Sequence, residues 1–158
     1  MKRNNSIILG IGAMLALCIS LPLEWMIYHY DRLLANYGSQ VFKGAIPSPE
    51  NMTLKITGIS GYFVVPFKAP MWLIIAVGLV GVLLALLNCL RITKIPKIIH
   101  LIPLSLSALF IVLGCKIILI APEATVGAGI LIALLGLVLG YIHAFTYPSL
   151  KKETAKEF

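Results

Sequence analysis

The sequence predicts an all-α membrane protein: a four-helix transmembrane bundle with a small β-hairpin and short-helix cap in its first outer loop. Three observations lead there. Apolar runs fill residues 7–23, 71–90, 98–121 and 126–145 of a 158-residue chain. Each approaches or reaches the roughly 20 residues that a helix needs to cross a hydrocarbon layer about 30 Å thick. Charged residues make up only 12% against 59% hydrophobic, about half the charge that covers a soluble domain. The positive charges, finally, are sorted along the chain in the way membrane insertion sorts them.

A net charge of +7 in a soluble chain would suggest nucleic acid; here its placement decides. Lys2 and Arg3 precede the first span, Arg91, Lys94 and Lys97 lie between the second and third, and Lys151, Lys152 and Lys156 follow the fourth. Under four crossings these eight share one side. The other side has Arg32, Lys43, Lys55 and Lys68 in a much longer loop, diluted by Glu24, Asp31, Glu50 and Glu123. The positive-inside rule then puts both termini in the cytoplasm, with the basic residues as anchors near anionic headgroups. The expected setting is a plasma membrane, taken as a bacterial inner membrane, and the expected partners are the lipid bilayer and other membrane subunits or further copies of the chain, not nucleic acid.

The chain reads as one transmembrane domain, 1–158, with helices at about 7–27, 71–90, 98–121 and 125–146 and an outer loop at about 28–69. The first run resembles a secretory or lipoprotein signal, with Lys2-Arg3, an apolar stretch and Cys18. No small-x-small cleavage site follows, however, and Leu17 is bulkier than the residue that precedes a lipidated cysteine, so it reads as a retained helix. Residues 24–37 contain no breaker and are rich in aromatics. They read as a continuation of this helix or as an interfacial helix stopped by Gly38, with Trp25, Tyr28, Tyr30 and Trp72 as an outer aromatic belt.

The segment 44–51 carries turn chemistry. Met52-Thr53-Leu54-Lys55-Ile56-Thr57 then alternates, Gly58-Ile59-Ser60-Gly61 can turn, and Tyr62-Phe63-Val64-Val65 can return as a hairpin, ended by Pro66 and Pro70. Asn51-Met52-Thr53 matches the N-glycosylation pattern, which a bacterial host leaves bare. In the third span Pro103 cannot donate to the Ile99 carbonyl, so that helix starts late or bends. Asn88, near the inner end of the second, suits an interhelical hydrogen bond.

The fourth span carries a stripe of small residues. Gly129, Ala133, Gly136, Gly140 and Ala144 fall within about 80° at 100° per residue, and residues 136–140 form a GxxxG. Such a groove admits a close helix, either Gly12-xxx-Ala16 of the first span and Gly81-xxx-Ala85 of the second, or a helix of another subunit. Among intramembrane ionisable groups, the usual place to look for function, Lys116 stands about a turn from the outer end of the third span. It can snorkel to the interface or pair with Glu24 or Glu123. His100 and His143 fall at comparable depth near the inner ends of the third and fourth spans, where two imidazoles could serve a haem or a pigment. They lie close to the headgroups, so no cofactor is expected. His29 is in the outer loop. Cys18, Cys89 and Cys115 all lie in spans and fit neither a redox motif nor a thiolate metal site.

No phosphate-cradling loop, HExxH, GxSxG or paired intramembrane carboxylate is present in the sequence, so no catalytic residue is nominated. The expected function is a non-enzymatic, integral accessory or structural subunit of a larger membrane complex, bound through its fourth helix or outer loop. A small oligomeric transporter or channel with Lys116 on the path, and a haem- or pigment-binding subunit using His100 and His143, are the alternatives.

In layout the chain resembles the claudin and peripheral-myelin-protein superfamily. The likeness rests on four spans with cytoplasmic ends, a long first outer loop with strand character directly before the second span, and a very short second outer loop. It implies a four-helix fold with a partly ordered outer cap. The loop signature of that family, a Trp followed by Gly-Leu-Trp and two cysteines, is absent: Trp25 stands alone and the loop holds no cysteine. No residue role is therefore carried over.

Overall fold

The structure, a computed structural model, describes residues 3–30, 52–63, 69–120 and 124–146. In chain order it places α1 (Arg3–Ser20), β1 (Glu24–Tyr30), β2 (Met52–Thr57), β3 (Tyr62–Phe63), β4 (Ala69–Pro70), α2 (Met71–Cys89), α3 (Lys97–Ile120), β5 (Ala124–Val126) and α4 (Ala128–Thr146). Among these, α2, α3 and α4 are each long and apolar enough to cross a membrane, whereas α1 is a shorter apolar helix. Helices of this kind satisfy every interior backbone group within themselves, which is what a hydrocarbon solvent demands.

The helices pack as an up-down-up-down bundle, and named contacts fix their directions. Along α1 and α4, Ser6 meets His143, Leu17 meets Gly136, and Trp25 just beyond α1 meets Gly129. The two helices are thus antiparallel and matched over their whole lengths. Helices α2 and α3 are antiparallel likewise, through Gly78 with Ser107 and Gly81 with Leu104. The first and last described helices therefore begin and end at the same end of the bundle.

Each helix stops for a local reason. At the end of α1 the Ser20 hydroxyl donates back to the Leu17 carbonyl (2.7 Å), and Pro22 follows two residues later. Helix α2 ends in a Schellman motif: Arg91 N–H donates to Asn88 O (3.1 Å) and Ile92 N–H to Leu87 O (3.0 Å). That motif requires a left-handed residue, and Arg91 takes it at φ 64° although it is not glycine. Helix α3 runs through Pro103 from Lys97, so of the two expected outcomes, a late start or a bend, the late start does not occur.

The sheet departs from expectation. Residues 24–30 form a strand, not a continuation of the first helix, because Pro22 interrupts the helix and the aromatic and β-branched run Trp25-Met26-Ile27-Tyr28 suits a pleated surface. Strand β1 is central in a three-stranded antiparallel sheet of order β2-β1-β5. Strand β2 pairs with β1, Tyr28 opposite Leu54 and Tyr30 opposite Met52, and among the described residues does not pair with Tyr62-Phe63 after its turn; Val64 and Val65 of the expected return lie outside the described residues. The turn forms as expected, with Gly61 N–H donating to Thr57 O (2.9 Å) and the Thr57 and Ser60 hydroxyls 3.0 Å apart. It delivers β3 to β4 instead, Tyr62 opposite Pro70. The strand β5, at 124–126, occupies residues expected to open the fourth helix and pairs with β1, Met26 opposite Val126. It ends at Gly127, where any Cβ would collide with the Glu24 carbonyl, so only glycine lets α4 begin so close to β1.

Candidate functional site

Two buried polar features stand at opposite ends of the bundle. At the sheet end, β1 and β2 slip register between Glu24 and Met26, leaving Trp25 as the extra residue of a bulge. A bulge re-aims a side chain, and here it turns the indole into the bundle. Trp25 is fully buried, and its Nε1 donates to Ser20 O at 2.7 Å. Glycines make the slot: a Cβ on Gly58 would lie 2.7 Å from Nε1, and one on Gly129 would strike the ring. Trp25 therefore belongs to the core and not to the expected aromatic belt, whereas Trp72 is 48% exposed. The side chains of Tyr28 and Tyr30 lie outside the described residues.

At the other end, His100 on α3 and His143 on α4 are both fully buried. Ser6 of α1, also fully buried, places Oγ 3.0 Å from His143 Nδ1. Gly10, one turn further along α1, admits the imidazole: a Cβ there would lie 3.1 Å from His143 Nε2. Below this layer Asn88 Nδ2 donates to Ile95 O (2.7 Å), closing the connector between α2 and α3. Lys97 Nζ donates to Phe145 O (3.3 Å), a cation at the carbonyl end of α4.

A serine hydroxyl beside an imidazole is half of a nucleophile–base arrangement. Both groups are sealed within the packing, and Glu24, the one acidic side chain among the described residues, is at the sheet end. The contact acts as a tie between the first and last helices. His100 and His143 are the residues that could hold a metal or a haem. No group of three or more His, Cys, Asp or Glu side chains converges among the described residues. A planar macrocycle could reach neither ring without parting the helices, so the residues present do not fit that group. Cys18, Cys89 and Cys115 are separate free thiols.

The remaining nominated residues are placed as follows. Gly129, Ala133, Gly136, Gly140 and Ala144 all face inward and are buried. A Cβ on Gly136 would lie 2.9 Å from Leu17 Cγ, and one on Gly140 2.9 Å from Val82 Cγ2. The small-residue stripe is thus filled by α1 and α2 of the same chain, which removes it as a surface for another subunit. Leu131, Leu135, Val138, Ile142 and Phe145 form the exposed stripe directly opposite. Lys116 is exposed on the outward face of α3, in line with Ile102, Leu106, Leu109 and Leu113. Glu24 pairs not with Lys116 but with Lys55, at 2.6 Å: Glu24 stands opposite Thr57, and Lys55 is two residues along β2, within diagonal reach. Glu123 and His29's side chain lie outside the described residues, as does Asn51.

The Ser6–His143 tie was not expected from the sequence, although a signal for it existed: Ser6 directly precedes the first apolar run and His143 lies near the end of the fourth, so an antiparallel pairing of the first and last helices brings the two polar groups to one level. No protein-family model matches the chain, and no curated protein or solved structure is detectably similar to it.

Proposed function

We propose that this protein is an integral, non-enzymatic accessory subunit of a larger membrane assembly, crossing the bilayer four times with both termini in the cytoplasm. Its partner binds at the sheet end. The observation that carries this reading is the construction of the sheet. Strand β1 ties the first loop to the connector before α4 through β2 and β5, and the Trp25 side chain pins the whole to the bundle. A bare membrane anchor needs no such platform, and the helices beneath spend their small residues on one another. α1 counts as the fourth crossing because it lies along the full length of α4 and because its roughly 18 residues, at 1.5 Å each, approach the hydrocarbon thickness. The claudin-like layout is proposed as an architecture and brings no partner with it.

Ile59, at the tip of the turn after β2, is 59% exposed and is the natural probe. A photo-crosslinking residue there, in cells making the protein at native level, is expected to capture a discrete membrane protein. The same residue at Leu135, on the outward face of α4, is expected to capture none. Recovery of uncrosslinked 17.2 kDa chain from both positions, together with monomeric migration in mild detergent, would remove the subunit reading. The transporter alternative places Lys116 on a path between copies, since it faces outward. Lys116→Met would then abolish flux in liposomes, and unchanged flux retires it.

A further inference from the structure

We draw no further inference here: the strongest candidate, the cluster of Ser6, His100 and His143 buried at the end of the bundle away from the sheet, belongs to the site already described, where the serine–histidine contact ties the first helix to the last.

Discussion

The indole of Trp25 donates to the Ser20 carbonyl at 2.7 Å, and that bond joins the last turn of α1 to the first strand of the sheet. It satisfies a carbonyl that the helix end would otherwise leave open, and it holds the ring between Gly58 and Gly129. The helical and extended parts of the molecule are thereby one packed unit.

Truncating that ring should be among the most damaging single changes. Trp25→Ala removes a fully buried aromatic and is expected to cost about 3–5 kcal/mol. Trp25→Phe keeps most of the ring but strands the Ser20 carbonyl, for about 1–3 kcal/mol. Unfolding of the purified protein in mixed micelles measures both, and a Trp25→Ala variant as stable as the parent would show that the ring is not a core group.

Filling the stripe on α4 should weaken the fold and not the assembly. Gly136→Ala sets a Cβ 2.9 Å from Leu17 Cγ and 3.1 Å from its backbone nitrogen, an overpacking worth about 1–3 kcal/mol. Leu135→Ala, one residue away on the exposed face, is expected to stay within about 0.5 kcal/mol. If Gly136→Ala shifted migration on native gels while leaving the unfolding midpoint unmoved, the stripe would be an intersubunit surface after all.

Ser6 and His143 should be energetically coupled. In a double-mutant cycle of Ser6→Ala and His143→Leu, the interaction energy is expected near 0.6 kcal/mol and below about 1.7 kcal/mol, as for other hydrogen bonds between membrane helices. Strict additivity would mean that the two side chains do not meet.

Arg91 holds the left-handed position that closes α2, where a Cβ costs about 1–2 kcal/mol. Arg91→Gly is expected to raise stability by about 0.5–1 kcal/mol after the greater freedom of glycine in the unfolded chain is deducted. Arg91→Val, whose branched Cβ resists that conformation more strongly, is expected to lower it. Thermal scans of the three proteins rank them, and the order Gly, Arg, Val is the one required by the Schellman geometry.

The helices were legible because their signal is one-dimensional: a run of apolar residues of sufficient length states its own conformation in lipid. The starts of α2 and α3 fell within a residue of expectation for this reason, while α1 begins four residues before its apolar run, at Arg3. Helix α4 begins three residues late, because its first expected residues pair with β1 as a strand, held by the glycine at 127. The sheet was harder to read because pairing is decided by what lies across the ladder. Met52–Thr57 looked like half of a hairpin, and its own turn did form, yet its partner came from 22 residues upstream at Tyr30. Trp25 misled for a related reason. Its type and its place just past a span match an interfacial aromatic, and only the bulge, invisible in sequence, turns it inward. Position alone sufficed to set His100 and His143 at one end, but not to find the serine that meets one of them. For Glu24 the nearest cation in depth looked like Lys116, and the strand register supplied Lys55 instead.

Single cysteines placed at Asn4, Ile59 and Lys94 in a chain otherwise cleared of thiols, and labelled in intact cells with a membrane-impermeant maleimide, probe the four-crossing topology most directly. Ile59 is expected to react from outside, and Asn4 and Lys94 only after the membrane is opened. Labelling of Asn4 and Lys94 from opposite faces would contradict the topology on which the platform and the subunit reading both depend.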